Sequence, residues 1–137
     1  MRLDLYQAET ARIAAQQSAL LEQARTILAS GRDLTALEQS GVLHALQVLV
    51  ENAVGKAKQW LKARNEPVPI SGYDAFQALS SAGLIDHSDL AAWNAVVGLR
   101  NRIVHDYMNI DMSQVLVWIA SGKDQFIVDF LLKKIQI

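Results

Sequence analysis

Apolar residues recur three and four apart along almost the whole chain, and no stretch alternates apolar with polar. That period belongs to helices with one buried face and argues against a sheet. The longest run is "GVLHALQVLVENAVGKAKQWLKARN", in which Leu43, Leu46, Val50, Val54, Ala57 and Leu61 form one apolar face. A segment before it, about 3–29, places Leu5, Ile13, Leu20, Leu21, Ala24, Ile27 and Leu28 at helical spacing. "SGRD" at 30–33 interrupts the two, with Gly31 suited to a C-terminal cap. The second helix opens near Asp33, either on Asp33 itself or on a capping box of Thr35 and Glu38. Prolines at 67 and 69 end it. Ser71, with Asp74 three residues on, opens a short third helix that stops at Gly83. Asp86 or Ser88 opens a fourth, "DLAAWNAVVGLRNRIV", which the chain leaves near His105. Asp111 caps a fifth that carries Val115, Leu116, Trp118, Ile119, Phe126, Ile127, Phe130 and Leu131, with Gly122 weakening or bending it. The expected fold is all-α: an up-and-down antiparallel bundle of about five helices, built by a single domain over residues 1–137.

Composition narrows what such a bundle can do. The 137 residues are 51% hydrophobic, enough to bury a core, and none is cysteine. A disulfide framework, a thiolate zinc site and a cysteine nucleophile are thereby excluded. The three histidines have no carboxylates at ligand spacing, so no metal site is expected. No glycine-rich phosphate loop or serine–histidine hydrolase pattern is visible, and no cofactor is expected. A formal net charge of −1 gives no bulk attraction to nucleic acid, so any RNA contact needs a local patch. No run approaches the roughly 20 apolar residues that span a bilayer. The opening "MRLDLYQAETARIAAQQ" lacks the apolar core of a signal peptide, so a cytoplasmic location without membrane contact is expected.

One stretch stands apart. "RNRIVHDY", Arg100 to Tyr107, gathers two arginines, an asparagine, a histidine and a tyrosine at the end of the fourth helix. Cations at a helix C-terminus are ordinary, because they complement its dipole, so a plain polar helix end is one reading. The other is a site. Asn101 and His105 are four residues apart and share a face, whereas Arg100 and His105 stand about 140° apart on an ideal helix. Those two meet only if the helix ends or bends near Val104, or if both reach a common groove. A histidine can take or give a proton near neutral pH, and an arginine offers a charged fork to phosphate. Together they suit metal-independent RNA cleavage, since RNA carries its own nucleophile, the 2′-hydroxyl. One histidine is a single acid or base, and a symmetric dimer would bring two sets to one groove.

"RNRIVHDY" fits the Arg-x4-6-His-x-Tyr signature of HEPN domains. With "VLHALQVLVENAVGKAKQWL", "PVPISGYDAFQALSSAGLI" and "AVVGLRNRIVHDYMNID" in order, nearly the whole chain resembles the HepT-like subfamily. The resemblance implies a homodimeric helical bundle with the motif at the dimer cleft. It implies a ribonuclease toxin whose catalytic residues are Arg100 and His105, with Asn101 orienting the histidine or a phosphate. It implies a minimal nucleotidyltransferase antitoxin as partner, which adenylylates Tyr107 and so blocks an RNA groove with a bulky anionic group. The alternative within the same resemblance is a non-catalytic, substrate-binding partner of the nucleotidyltransferase.

Several other residues bear on RNA binding. Lys56, Lys58, Lys62 and Arg64 form a basic run, read either as a solvated helix end or, for Lys62 and Arg64 above all, as an RNA-backbone contact. Arg102 faces either phosphate or solvent. Glu51, polar in an apolar stretch, reads either as a partner for a motif arginine or as a simple surface residue. His44, set among apolar neighbours, reads as a core or interface histidine, and His87 as a capping or surface residue. Trp60, Trp93 and Trp118 read as core or interface residues.

Overall fold

The computed structural model describes residues 2–135. It contains six α-helices: α1 Leu3–Ala29, α2 Ala36–Ala63, α3 Gly72–Ser81, α4 Leu90–His105, α5 Met112–Ala120 and α6 Gln125–Leu132. Single 3-10 turns at His87–Asp89 and Tyr107–Asn109 flank α4. The described residues form no strand. The expected fifth helix is therefore two. Gly122 takes φ +72° after the C-cap at Ser121, a left-handed conformation that ends α5, and Asp124 restarts the chain as α6.

Local chemistry sets the ends of the longer helices. α1 stops where Gly31 turns left-handed at φ +88°. The capping box of α2 forms: Thr35 Oγ1 accepts from the Glu38 N–H, and Glu38 accepts from the Thr35 N–H. Arg32 donates both arms of its fork to the same carboxylate, and holds it down to a pKa of about 2. At the far end Asn65 takes φ +58°, the role glycine more often fills, and the Glu66 N–H reaches back to the Leu61 carbonyl.

α2 lies at the centre and packs on α1, α3, α4 and α6. Of its expected apolar face, Leu43, Leu46, Val50, Ala57 and Leu61 are buried, and Val54 is half-buried against the core. Each such leucine contributes about 1.5–3 kcal/mol of burial. Phe76 of α3 stacks on Trp93 of α4 at 4.2 Å, and Phe126 and Phe130 of α6 meet Trp93 edge-on at 4.8 and 4.9 Å. With Val96, Val97 and Ile103 also buried, this cluster holds α4 rigidly along its length.

Two charged residues are buried with the core. Asp124 receives Arg25 at 2.9 and 3.1 Å, tying α1 to the start of α6. Lys56 is not part of a solvated basic face. It is fully buried, because α6 packs over its side of α2, and its ammonium donates to the carbonyls of Phe130, Leu131 and Lys133.

Candidate functional site

Helix α4 remains helical through His105, so the backbone does not bend to bring Arg100 and His105 together. Their side chains leave the helix in different directions. Arg100 points toward α2, where its Nε lies 3.4 Å from Glu51 Oε1. That contact pairs the charges without hydrogen-bond geometry, and the buried Nε has no hydrogen-bond partner. The guanidinium also donates to Asn101 Oδ1 at 3.3 Å. No hydrogen bond joins Asn101 to His105 among the described residues. The arginine side chain is 30% exposed, so the pair with Glu51 is screened and weak, and the fork is left for another anion.

Arg100 and Asn101 line a cavity of about 550 Å³ between α2, α3 and α4. Its α2 wall carries Val50, Glu51, Val54, Gly55 and Lys58, and the start of α3 closes it with Gly72 and Tyr73. A Cβ at Gly72 would stand 3.0 Å from a Val54 methyl, so a larger residue there would push the valine aside. Lys58 is the residue that sequence reasoning underweighted, and its signal was its place seven residues after Glu51, on the same face of α2.

His105 is exposed on the last turn of α4, and its side chain has no hydrogen bond or ion pair with the described residues. Tyr107 follows in the 3-10 turn, 47% exposed, with its hydroxyl 3.3 Å from Ser40 Oγ of α2. The two cross-helix contacts, Glu51 with Arg100 and Ser40 with Tyr107, show that α2 and α4 run antiparallel beside each other. The start of the motif, Arg100 and Asn101, therefore lies at the cavity, and His105 and Tyr107 lie further along, beside the N-terminal part of α2.

The other expected RNA contacts are placed elsewhere. Lys62 and Arg64 lie beyond Glu51 toward the C-terminal end of α2, whereas His105 lies in the opposite direction. Lys62 is about 16 Å past Glu51 along the helix. Arg102 is exposed on the other flank of α4, in a cleft with Leu99 and Trp118. Trp60 and Trp93 are core residues, and Trp118 is half-buried in that cleft. His87 is exposed and pairs with Ser80 at 3.1 Å. His44 is not a core histidine: it is exposed, on the open stripe of α2. Among the described residues no three His, Asp or Glu side chains gather to hold a metal ion. No described helix is long and apolar enough to cross a membrane.

An all-α bundle with an Arg-x4-His-x-Tyr motif at the end of its fourth helix defines a narrow class of protein. The family model described as ribonuclease HepT-like matches residues 16–128, and the chain belongs to that family. Its fold is shared with a chain in a crystal structure of a toxin–antitoxin with AMP-PNP, at a TM-score of 0.77 and 18% identity, covering 92% of this chain and 97% of that one. No curated protein matches it in sequence.

Proposed function

We propose that this single helical domain is a metal-independent endoribonuclease and the toxin of a toxin–antitoxin pair. The observation that carries the reading is that a member of the ribonuclease HepT-like family keeps its motif histidine exposed and unpartnered beside a groove lined by Arg100. In this reading Arg100 holds the scissile phosphate and stabilises charge on phosphorus, Asn101 steadies the arginine, and His105 transfers a proton. The 2′-oxygen of RNA attacks phosphorus, the bond to the 5′-oxygen breaks, and the products end in a 2′,3′-cyclic phosphate and a 5′-hydroxyl.

The working unit is a homodimer. Leu37, Val104 and Met108, respectively 83%, 41% and 90% exposed, flank the motif and give a second copy an apolar footing. A nucleotidyltransferase partner controls the site by moving an adenylyl group from ATP to the Tyr107 hydroxyl, releasing pyrophosphate. The tyrosine is 47% exposed, and among the described residues its hydroxyl meets only Ser40. The added phosphodiester and nucleoside would obstruct the groove beside His105.

The test is expression without the partner, followed by RNA analysis. Wild type should arrest growth and cut RNA, and Arg100→Ala and His105→Ala should each abolish both while melting at the wild-type temperature. Unmodified wild type that cuts no RNA, yet still binds the nucleotidyltransferase, would instead make this chain a binding partner.

A further inference from the structure

We infer that the cavity between α2, α3 and α4 is a base subsite. It takes the nucleoside that adjoins the scissile phosphate, and Lys58 makes it prefer a keto base, guanine or uracil. The inference rests on the ribonuclease reading above, in which Arg100 holds that phosphate.

The cavity is polar at its two ends and apolar between them. Val54, Gly55 and Lys58 stand three, four and seven residues after Glu51, so the four form one stripe of α2 about 10 Å long. At one end Arg100 and Asn101 of α4 face Glu51. Arg100 Nε meets Glu51 at 3.4 Å without hydrogen-bond geometry, a contact that an arriving phosphate would displace. At the other end is the half-buried Lys58, whose ammonium donates to the Ile70 carbonyl and keeps two further N–H groups. Between the ends the walls are Val54 and Gly55, Val97 of α4 and Tyr73 of α3. A Cβ at Gly98 would stand 3.3 Å from the Tyr73 hydroxyl, so this side chain reaches from α3 across to α4.

Much of that apolar surface is unmet. Ile70 is 94% exposed and Tyr73 40%, and the Tyr73 hydroxyl has no hydrogen-bond partner among the described residues. A base stacked on Tyr73 would cover both residues. At about 550 Å³ the cavity has room for a purine and its ribose. A second phosphate in place of the base would leave the apolar middle unfilled.

The order along the helices suits one strand of RNA. Because α2 and α4 are antiparallel, Lys58 and His105 lie on opposite sides of Arg100. His105 is about 7 Å along α4 from Arg100, and Lys58 about 10 Å along α2 from Glu51 in the other direction. The base is thus drawn away from the bond being broken. Each subunit brings one such cavity to the homodimer, and the motif cleft between the subunits supplies the proton transfer.

Lys58 sets the choice of base. At the edge far from the sugar, guanine and uracil carry a carbonyl oxygen where adenine and cytosine carry an amino group. An ammonium donates to the first, whereas against the second two donors are left unpaired.

The test uses short DNA strands with a single ribonucleotide, so that only one linkage has a 2′-hydroxyl and can be cut. The base on each side of it is varied in turn, and kcat/KM is measured for wild type, Lys58→Met and Tyr73→Leu. On one side, wild type should prefer guanine to adenine and uracil to cytosine by roughly tenfold. Lys58→Met should lose that preference. Tyr73→Leu should cut every substrate roughly tenfold more slowly, except where the residue on that side is abasic. Both variants should melt as wild type does. The same strands without any 2′-hydroxyl should bind wild type in the same order of preference. Cleavage without a base preference overturns the inference and leaves the ribonuclease reading intact. So does a Lys58→Met that weakens all bases equally with a shallower salt dependence, which would make Lys58 a phosphate contact. Binding with the base preference but no cleavage supports the subsite and overturns the ribonuclease reading. Neither binding nor cleavage overturns both.

Discussion

Replacing Lys56 with methionine keeps the side chain's length and removes a charge from the middle of the bundle. The lysine is fully buried and no carboxylate pairs with it. Its ammonium donates to the carbonyl of Phe130 at 2.6 Å and lies 5.2 Å from the centre of that ring. Burial, followed by the charge of Lys133, lowers its pKa from 10.5 to about 8. The folded-state value thus lies below the unfolded one. Between the two the unfolded chain binds the extra proton, so stability rises with pH. The penalty for burying the charge is fully present below about pH 8 and is relieved by about pH 10.5. A difference of 2.5 units, 10.5 less 8, corresponds to about 3 kcal/mol. Lys56→Met has no such rise. It also strands the Phe130 carbonyl, whereas that of Leu131 keeps Gln7 at 3.1 Å. One unsatisfied buried acceptor makes the variant about 1–3 kcal/mol less stable near pH 10.5, where the wild-type amine is neutral; at pH 7 the wild type also carries the burial penalty, which offsets that difference. Urea unfolding followed by circular dichroism, on both proteins from about pH 7 to 10.5, reads the gap directly, and other titrating groups cancel in the difference. The stability of wild type less that of the variant should rise by about 3 kcal/mol across that range. A difference that stays flat or falls would refute the reasoning.

Two further perturbations follow from single contacts. Arg25→Ala leaves the Asp124 carboxylate, 1% exposed, without its cation. The variant should lose about 3–5 kcal/mol in denaturant melts, and Asp124→Asn in the same background should recover part of it. Tyr107→Phe removes the hydroxyl that Ser40 shares, but no group assigned to proton transfer. Coexpressed with the nucleotidyltransferase, this variant should show no added adenylyl mass and should remain toxic. Modification at another residue would move the control point.

The helix ends were legible because caps act within four residues. Thr35 with Glu38, Ser71 with Asp74, and Gly31 needed no knowledge of the rest of the chain. Gly122 announced an irregularity but not its size. A glycine inside an apolar period is compatible with a bent helix or with two, and only the left-handed φ of +72° decides. The motif was legible as a pattern, whereas Glu51 read equally as a surface residue or as a partner for a motif arginine, and only its contact with Arg100 decides. The rest of the groove depended on which helices touch. Lys56 and Lys62 read as one basic run, yet six residues apart they stand about 120° from each other, and α6 covers only the first. His44 has apolar neighbours in sequence, but on a helix its companions are Ser40 and Glu51. Whether Lys62 and Arg64 reach the motif depended on the relative direction of α2 and α4, which sequence periodicity does not encode.

The most direct measurement is intact mass and RNA cleavage on one sample of protein made without its partner, in EDTA, beside His105→Ala. The account expects unmodified wild type to cut RNA and leave 2′,3′-cyclic phosphate ends, with no products from the variant. Wild type of unmodified mass that leaves every RNA class intact, or a variant that cuts as well as wild type, would contradict it.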